Sequence, residues 1–232
     1  MVCGDHRRCA LFLAGAFFLS LVLFALWPQA DIWVSGLFYD PVAGFWLATY
    51  PSLETVRMVV WHLSTAMVLL SVVAMGVPLL GRPLPLVKTR QAAFIFLLYL
   101  LGPLILVNGI LKAHWGRARP ADIVEFGGTR MFTPPYLPAD QCASNCSFVS
   151  GEGSAAVALA LSLYILAPAI RRALPGWVFK IYVALAVIVP VLGIVLRVAT
   201  GRHFLSDTVF AALLVAAIAL LLDRLLPAKM VV

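Results

Sequence analysis

Six apolar runs constrain this chain more than any other feature. They cover residues 9–27, 58–80, 92–111, 154–170, 181–196 and 206–222. The first and third hold no charge. The second is broken only by His62, the third has Asn108 near its end, the fifth contains Pro190, and Asp207 stands at the start of the sixth. A bilayer span takes about 20 apolar residues, so 232 residues hold six spans and their loops. The last three runs reach that length only if flanking residues join the helix. In lipid every backbone N–H and C=O must be bonded internally, which leaves helices or closed barrels. The dyad alternation of barrel strands is absent. The expected fold is all-α: a polytopic membrane protein of six transmembrane helices, one domain over residues 1–232.

Composition agrees. The chain is 63% hydrophobic and 12% charged, against about 45–50% and about 25% in ordinary soluble domains. A soluble globular domain, a disordered chain, a collagen, a coiled coil and a disulfide-built mini-protein are excluded. The net charge of +7 does not point to nucleic acid, because the 17 Lys and Arg fall in short clusters between apolar runs.

Those clusters alternate. One side carries Arg7, Arg8, Arg82, Lys88, Arg90, Arg171, Arg172, Lys180, Arg224 and Lys229 against Asp5 and Asp223. The other carries Arg57, Lys112, Arg117, Arg119, Arg130, Arg197 and Arg202 with the remaining acids. The positive-inside rule puts both termini in the cytoplasm and turns segments 28–57, 112–153 and 197–207 outward. Arg7 and Arg8 before the first run resemble a signal peptide. That run is long for a signal core, and no small-x-small cleavage site follows, so it reads as a retained span.

Segment 28–57 is rich in aromatics (Trp33, Phe38, Tyr39, Phe45, Trp46, Tyr50). It reads as an interfacial belt, with a lid or lipid-entry wall as the rival. Segment 112–153 is about 40 residues long with Pro120, Pro134, Pro135 and Pro138; loops of that length without their own structure are usually functional or disordered. Cys3 and Cys9 lie at the cytoplasmic end, where thiols stay reduced. Cys142 and Cys146 lie outward, four apart. A disulfide is preferred there over a zinc site, which lacks two further ligands.

Three outward pieces carry chemistry. They are Lys112-Ala-His-Trp-Gly-Arg-Ala-Arg119-Pro120, Ser150-Gly151-Glu152-Gly153-Ser154, and Arg197 through His203 to Asp207. Lys112, Arg119 and Arg197 call for an anion, and arginine forks match phosphate oxygens. Ser150-Gly151 opens a helix whose free N–H groups and dipole favour phosphate. His203 and Asp207 are one helical turn apart, so the carboxylate can hold one ring nitrogen and free the other as nucleophile or base. Cations, N–H groups and an oriented imidazole together describe phosphoryl transfer without a metal. Each piece alone has a plain reading: snorkelling cations, an N-cap, a helix-end pair. Their shared face and order set them apart.

The chain resembles the type 2 phosphatidic acid phosphatase family, whose motifs are Lys-x6-Arg-Pro, Pro-Ser-Gly-His and Ser-Arg-x5-His-x3-Asp. Lys112-x6-Arg119-Pro120 and Arg197-x5-His203-x3-Asp207 are intact. Val149 replaces the Pro, Leu196 the Ser, and Glu152 the His of the second motif. The resemblance implies that His203 attacks phosphorus to give phospho-histidine and that Asp207 orients it. Lys112, Arg119, Arg197, Ser150 and Gly151 would hold the phosphoryl oxygens. The family's His is thought to protonate the leaving oxygen. Here Glu152 takes that role, or the leaving group needs little protonation, or His114 supplies the proton; an inactive relative is the remaining case.

The leading expectation is a bacterial inner-membrane lipid phosphatase with its site facing the periplasm. Its substrate would be lipid A, phosphatidylglycerol phosphate or a polyprenyl diphosphate. The alternatives are a lipid-to-lipid phosphotransferase, and a non-catalytic lipid-binding or transport relative. The spans lack mid-membrane charges, which weighs against transport. No cofactor, metal or nucleic-acid partner is implied, and the oligomeric state is unspecified.

Overall fold

A computed structural model of the chain describes residues 4–81 and 86–226. In chain order the elements begin with α1 (His6–Leu26) and α2 (Ala30–Gly36), then a two-stranded hairpin, β1 (Tyr39–Asp40) with β2 (Gly44–Phe45). Next come α3 (Pro51–Gly76), α4 (Thr89–Tyr99), a π-helical stretch (Leu100–Leu111) and the closing turn α5 (Lys112–His114). The chain ends with α6 (Gly151–Ala173), α7 (Gly176–Ala199) and α8 (Leu205–Leu225). Six helices are long and apolar enough to cross a membrane, α4 to α5 forming one span, Thr89–His114.

Every span outlasts its apolar run. Pro51, pre-set for a first helical turn, starts α3 seven residues before the expected run, so Glu54 and Arg57 sit on the helix. Likewise α7 reaches Ala199 and carries Arg197 in its last turn. Segments 28–57, 112–153 and 197–207, expected to face outward, are thus partly helical. Polar residues at span ends lie at interface depth, where water or other side chains satisfy them, so the helix need not stop where apolarity does. Arg171 and Arg172 end α6, where the helix dipole favours cations.

Small residues bring α4, α6 and α8 together, as expected where lipid removes the hydrophobic drive between helices. Ala155, Ala158, Val215 and Ala219 pack with Phe94 and Leu98. Helix α1 joins at the side, where Phe17 and Phe24 meet Phe210.

The 112–153 segment is ordered. It holds short 3-10 turns at Pro120–Asp122 and Val124–Phe126, a bridge from Ile123 to Arg130, and a Cys142–Cys146 disulfide. Cys9 is also disulfide-bonded instead of the free thiol expected; a compartment argument does not see sulfur proximity. Cys3, Arg82 and Lys229 lie outside the described residues.

The aromatic segment divides its labour. Trp33, Trp46 and Tyr50 stay exposed, as a belt requires. Tyr39 and Phe45 instead pack with Phe126 at ring separations of 5.0 and 5.3 Å. Phe45 also lies directly against Gly201, so this part covers the loop that carries His203.

Candidate active site

Backbone hydrogen bonds sew the three motif pieces together. Cys146 N–H reaches Lys112 O (3.3 Å) and Ser147 N–H reaches Arg117 O (2.9 Å). Ser150 N–H donates to Asp207 O (3.1 Å), and Ala121 N–H to Gly201 O (3.0 Å). Two glycines permit these approaches. Gly116 (φ +68°) has Ala139 O only 1.6 Å from where a Cβ would stand, and Gly201 (φ +67°) has Phe45 at 2.4 Å. Both use the left-handed region that glycine enters without penalty.

His203 is 2% exposed. It sits in the loop before α8, its N–H bonded to Arg197 O at 3.0 Å. The expected direct Asp207–His203 bond is not what the ring makes. Nδ1 lies 2.8 Å from Ser147 O and 3.7 Å from Asp207 Oδ2. Asp207 is already occupied: Oδ1 accepts from Arg117 (2.6 Å), and Oδ2 accepts from Ser147 Oγ (2.5 Å) and from Phe204 N–H (2.8 Å). Asp207 therefore holds the loop that holds the ring. A carbonyl only accepts, so Nδ1 carries the hydrogen and Nε2 keeps its lone pair. Burial pushes the imidazole below its ordinary pKa, with Asp207 opposing and Lys112 and Arg197 adding to the drop.

Ser150 caps α6, its Oγ accepting from Gly153 N–H at 3.0 Å. A Cβ on Gly151 would stand 2.8 Å from Asn108 Oδ1, so the helix start is pressed against the π-helical stretch. There the Asn108 amide donates to Pro103 O at 2.6 Å, in the turn where Pro103 interrupts regular bonding.

Lys112 is buried, and Arg197 and Arg119 are partly so. Arg119 donates to Asn145 O at 2.8 Å; burial, then Arg202, pull its guanidinium below its usual value. Glu152 is held between two arginines, Oε1 on Arg57 (3.1 Å) and Oε2 on Arg197 (3.2 Å). Arg57 is in turn paired with Glu54. His114 is exposed at the end of α5. A cavity of about 870 Å³ opens here, with Arg57, Lys112 and Glu152 at one end and Val68, Leu69 and Phe96 at the other. Among the described residues no three His, Cys, Asp or Glu side chains converge as metal ligands.

Sequence reasoning missed Asp31, Arg57, Arg117, Ser147 and Ser206. Arg57 and Arg117 were counted only as outward cations. Asp31 is one of three carboxylates in the aromatic segment, with Asp40 and Glu54, and nothing in the sequence singles it out.

Residues 92–230 match the family model described as PAP2 superfamily. The chain is 30% identical over 202 residues to a lipid A 4'-phosphatase of Francisella tularensis subsp. novicida, covering 85% of this chain and 86% of that one. It is 41% identical over 124 residues to a lipid A 4'-phosphatase of Rhizobium etli, which covers 50% of this chain and 45% of the relative. In fold it is similar to the crystal structure of a transmembrane PAP2-type phosphatidylglycerolphosphate phosphatase from Bacillus subtilis. The TM-score there is 0.58 at 21% identity, over 91% of this chain and 94% of that chain. With the family model matched across its site-bearing half, and a relative matched along most of its length, the chain belongs to the PAP2 superfamily.

Proposed function

We propose that this chain hydrolyses a lipid phosphate at the outer face of the bacterial inner membrane, through a phospho-His203 intermediate and without a metal. That it is a membrane phosphatase follows from its family and relatives; the side, the intermediate and the lipid are the proposal. The observation that carries it is the His203 ring, whose Nδ1 is tied to Ser147 O while Nε2 is left with its lone pair. The relatives named as lipid A 4'-phosphatases make lipid A the first candidate substrate. Phosphatidylglycerol phosphate and polyprenyl diphosphate are the rivals. Polar at one end and apolar at the other, the cavity suits a phosphorylated head above an acyl chain.

In the first step Nε2 attacks phosphorus and the bond from phosphorus to the lipid oxygen breaks. Lys112, Arg119, Arg197 and the Gly151 N–H take the phosphoryl charge, while the Ser150 N–H stays on Asp207 O. As phosphate oxygens draw Arg57 and Arg197 from Glu152, its carboxyl is released to give a proton to the leaving oxygen. Water then attacks phosphorus and returns a proton to Glu152. Phosphate leaves and neutral His203 is restored.

The test is phosphate release by purified protein in detergent containing EDTA, from lipid A, phosphatidylglycerol phosphate, phosphatidic acid and undecaprenyl diphosphate. Wild type is expected to prefer lipid A, and Glu152→Gln to lose roughly 10²- to 10³-fold on it, as for loss of a general acid. Release abolished by EDTA and restored by a divalent ion would overturn the metal-free scheme. Full activity of Glu152→Gln would remove the acid role and leave Glu152 as an anchor for two arginines.

A further inference from the structure

The densest buried polar network among the described residues is centred on Arg117. Arg117, Asp31 and Asp207 are each 0% exposed. Arg117 gives Nη2 to Asp31 Oδ2 (2.8 Å), Nη1 to Asp207 Oδ1 (2.6 Å) and to Ser206 Oγ (2.9 Å), and Nε to Thr133 O (2.8 Å). The guanidinium also lies 4.3 Å from the centre of the Phe204 ring. Both oxygens of Asp31 accept: Oδ1 from Ser206 N–H at 2.9 Å, Oδ2 from Arg117 and from the Ser206 hydroxyl. Burial pushes this carboxyl above the usual range, with Arg117 pulling it back. The donors around it match the acceptor-only, ionised form.

One cation therefore serves two carboxylates, and the cluster keeps a net negative charge. Asp31 has two consequences for the ring. It clamps one fork of Arg117, so the other fork meets Asp207 in a single geometry, and Asp207 fixes Ser147 and Phe204 around His203. It also prevents Arg117 from neutralising Asp207 alone. A bare Arg117–Asp207 pair would present little charge to the imidazole 3.7 Å away. With Asp31 present, a negative charge faces the cation formed when Nε2 bonds to phosphorus. Neither Asp31 nor Arg117 is among the motif residues assigned to phosphate or to the nucleophile.

We propose that Asp31 is a positioning residue for phosphoryl transfer: acting through Arg117, it fixes Asp207 and supplies the net negative charge that supports cationic, phosphorylated His203. The proposal rests on His203 being the attacking group. The other charged groups acting on the ring are Lys112 from α5 and Arg197 from α7, the latter paired with Glu152 of α6. Asp31→Asn alters none of them.

The experiment uses the full chain in detergent with isotope-labelled histidine. The protein has 4 His, and His203→Ala assigns the signal. In Asp31→Asn the His203 titration should move to lower pH by about 0.5 to 1, with kcat falling roughly 3- to 10-fold. KM should stay unchanged, because Asp31 makes no phosphate contact in this scheme. Asp31→Glu, which keeps the charge, should restore the titration towards wild type. Folded Asp31→Asn protein with an unmoved His203 titration and wild-type kcat would overturn the proposal. So would a variant that only melts earlier while both readouts stay put. If wild type releases no phosphate from any lipid, the functional reading fails instead, and the titration still decides whether Asp31 acts on His203.

Discussion

His203 shows how a single residue's surroundings set its chemistry. Buried, with its Nδ1 hydrogen directed at Ser147 O, the ring is kept neutral. The folded pKa is lowered from the ordinary 6.5, so the unfolded chain takes up the proton first. The stability gained from the neutral buried ring is fully present above pH 6.5 and is lost as pH falls through the folded value. Activity should follow the same sign: kcat/KM holds just below pH 6.5 and drops at lower pH, as the nucleophile is protonated. An acidic limb at or above 6.5 in the pH profile would contradict a buried neutral nucleophile. His203 itself was legible in the sequence, because its spacing to Arg197 and Asp207 is local. Its supporting residues were not. Arg117 meets Asp31 across 86 positions and Glu152 meets Arg57 across 95, and no periodicity or motif encodes such pairings.

At the scale of elements, apolar length located all six spans, but their ends escaped it. Helices α3 and α7 continue through Arg57 and Arg197 because those cations find Glu152 at the interface, a partner known only once the helices are assembled. The loops hold the same lesson. The positive φ of Gly201 lets Phe45 of the hairpin lie on the His203 loop. Gly201→Ala combines a left-handed backbone with a contact of 2.4 Å to that ring. We expect it to cost about 1–3 kcal/mol, read as an earlier thermal unfolding midpoint in detergent together with reduced phosphate release. An unchanged midpoint would mean that the hairpin does not bear on this loop.

At the scale of the whole molecule, charge distribution and site location make one statement. Arg7, Arg8, Arg90, Arg171, Arg172 and Arg224 lie at the ends of spans, while Lys112, Arg119 and Arg197 gather around Glu152. If the positive-inside reading holds, a cysteine introduced at exposed Tyr136 is labelled by an impermeant maleimide from the periplasmic side, and one at exposed Trp177 is not. The reverse pattern would turn the site to the cytoplasm. The central claim is the covalent step, and trapping it tests the account most directly. Protein mixed with lipid phosphate labelled in its phosphoryl group is quenched in alkali, where phospho-histidine survives, and digested. The account predicts label on the peptide bearing His203, chased into inorganic phosphate with time and absent from His203→Ala. Phosphate release by His203→Ala at the wild-type rate would contradict it.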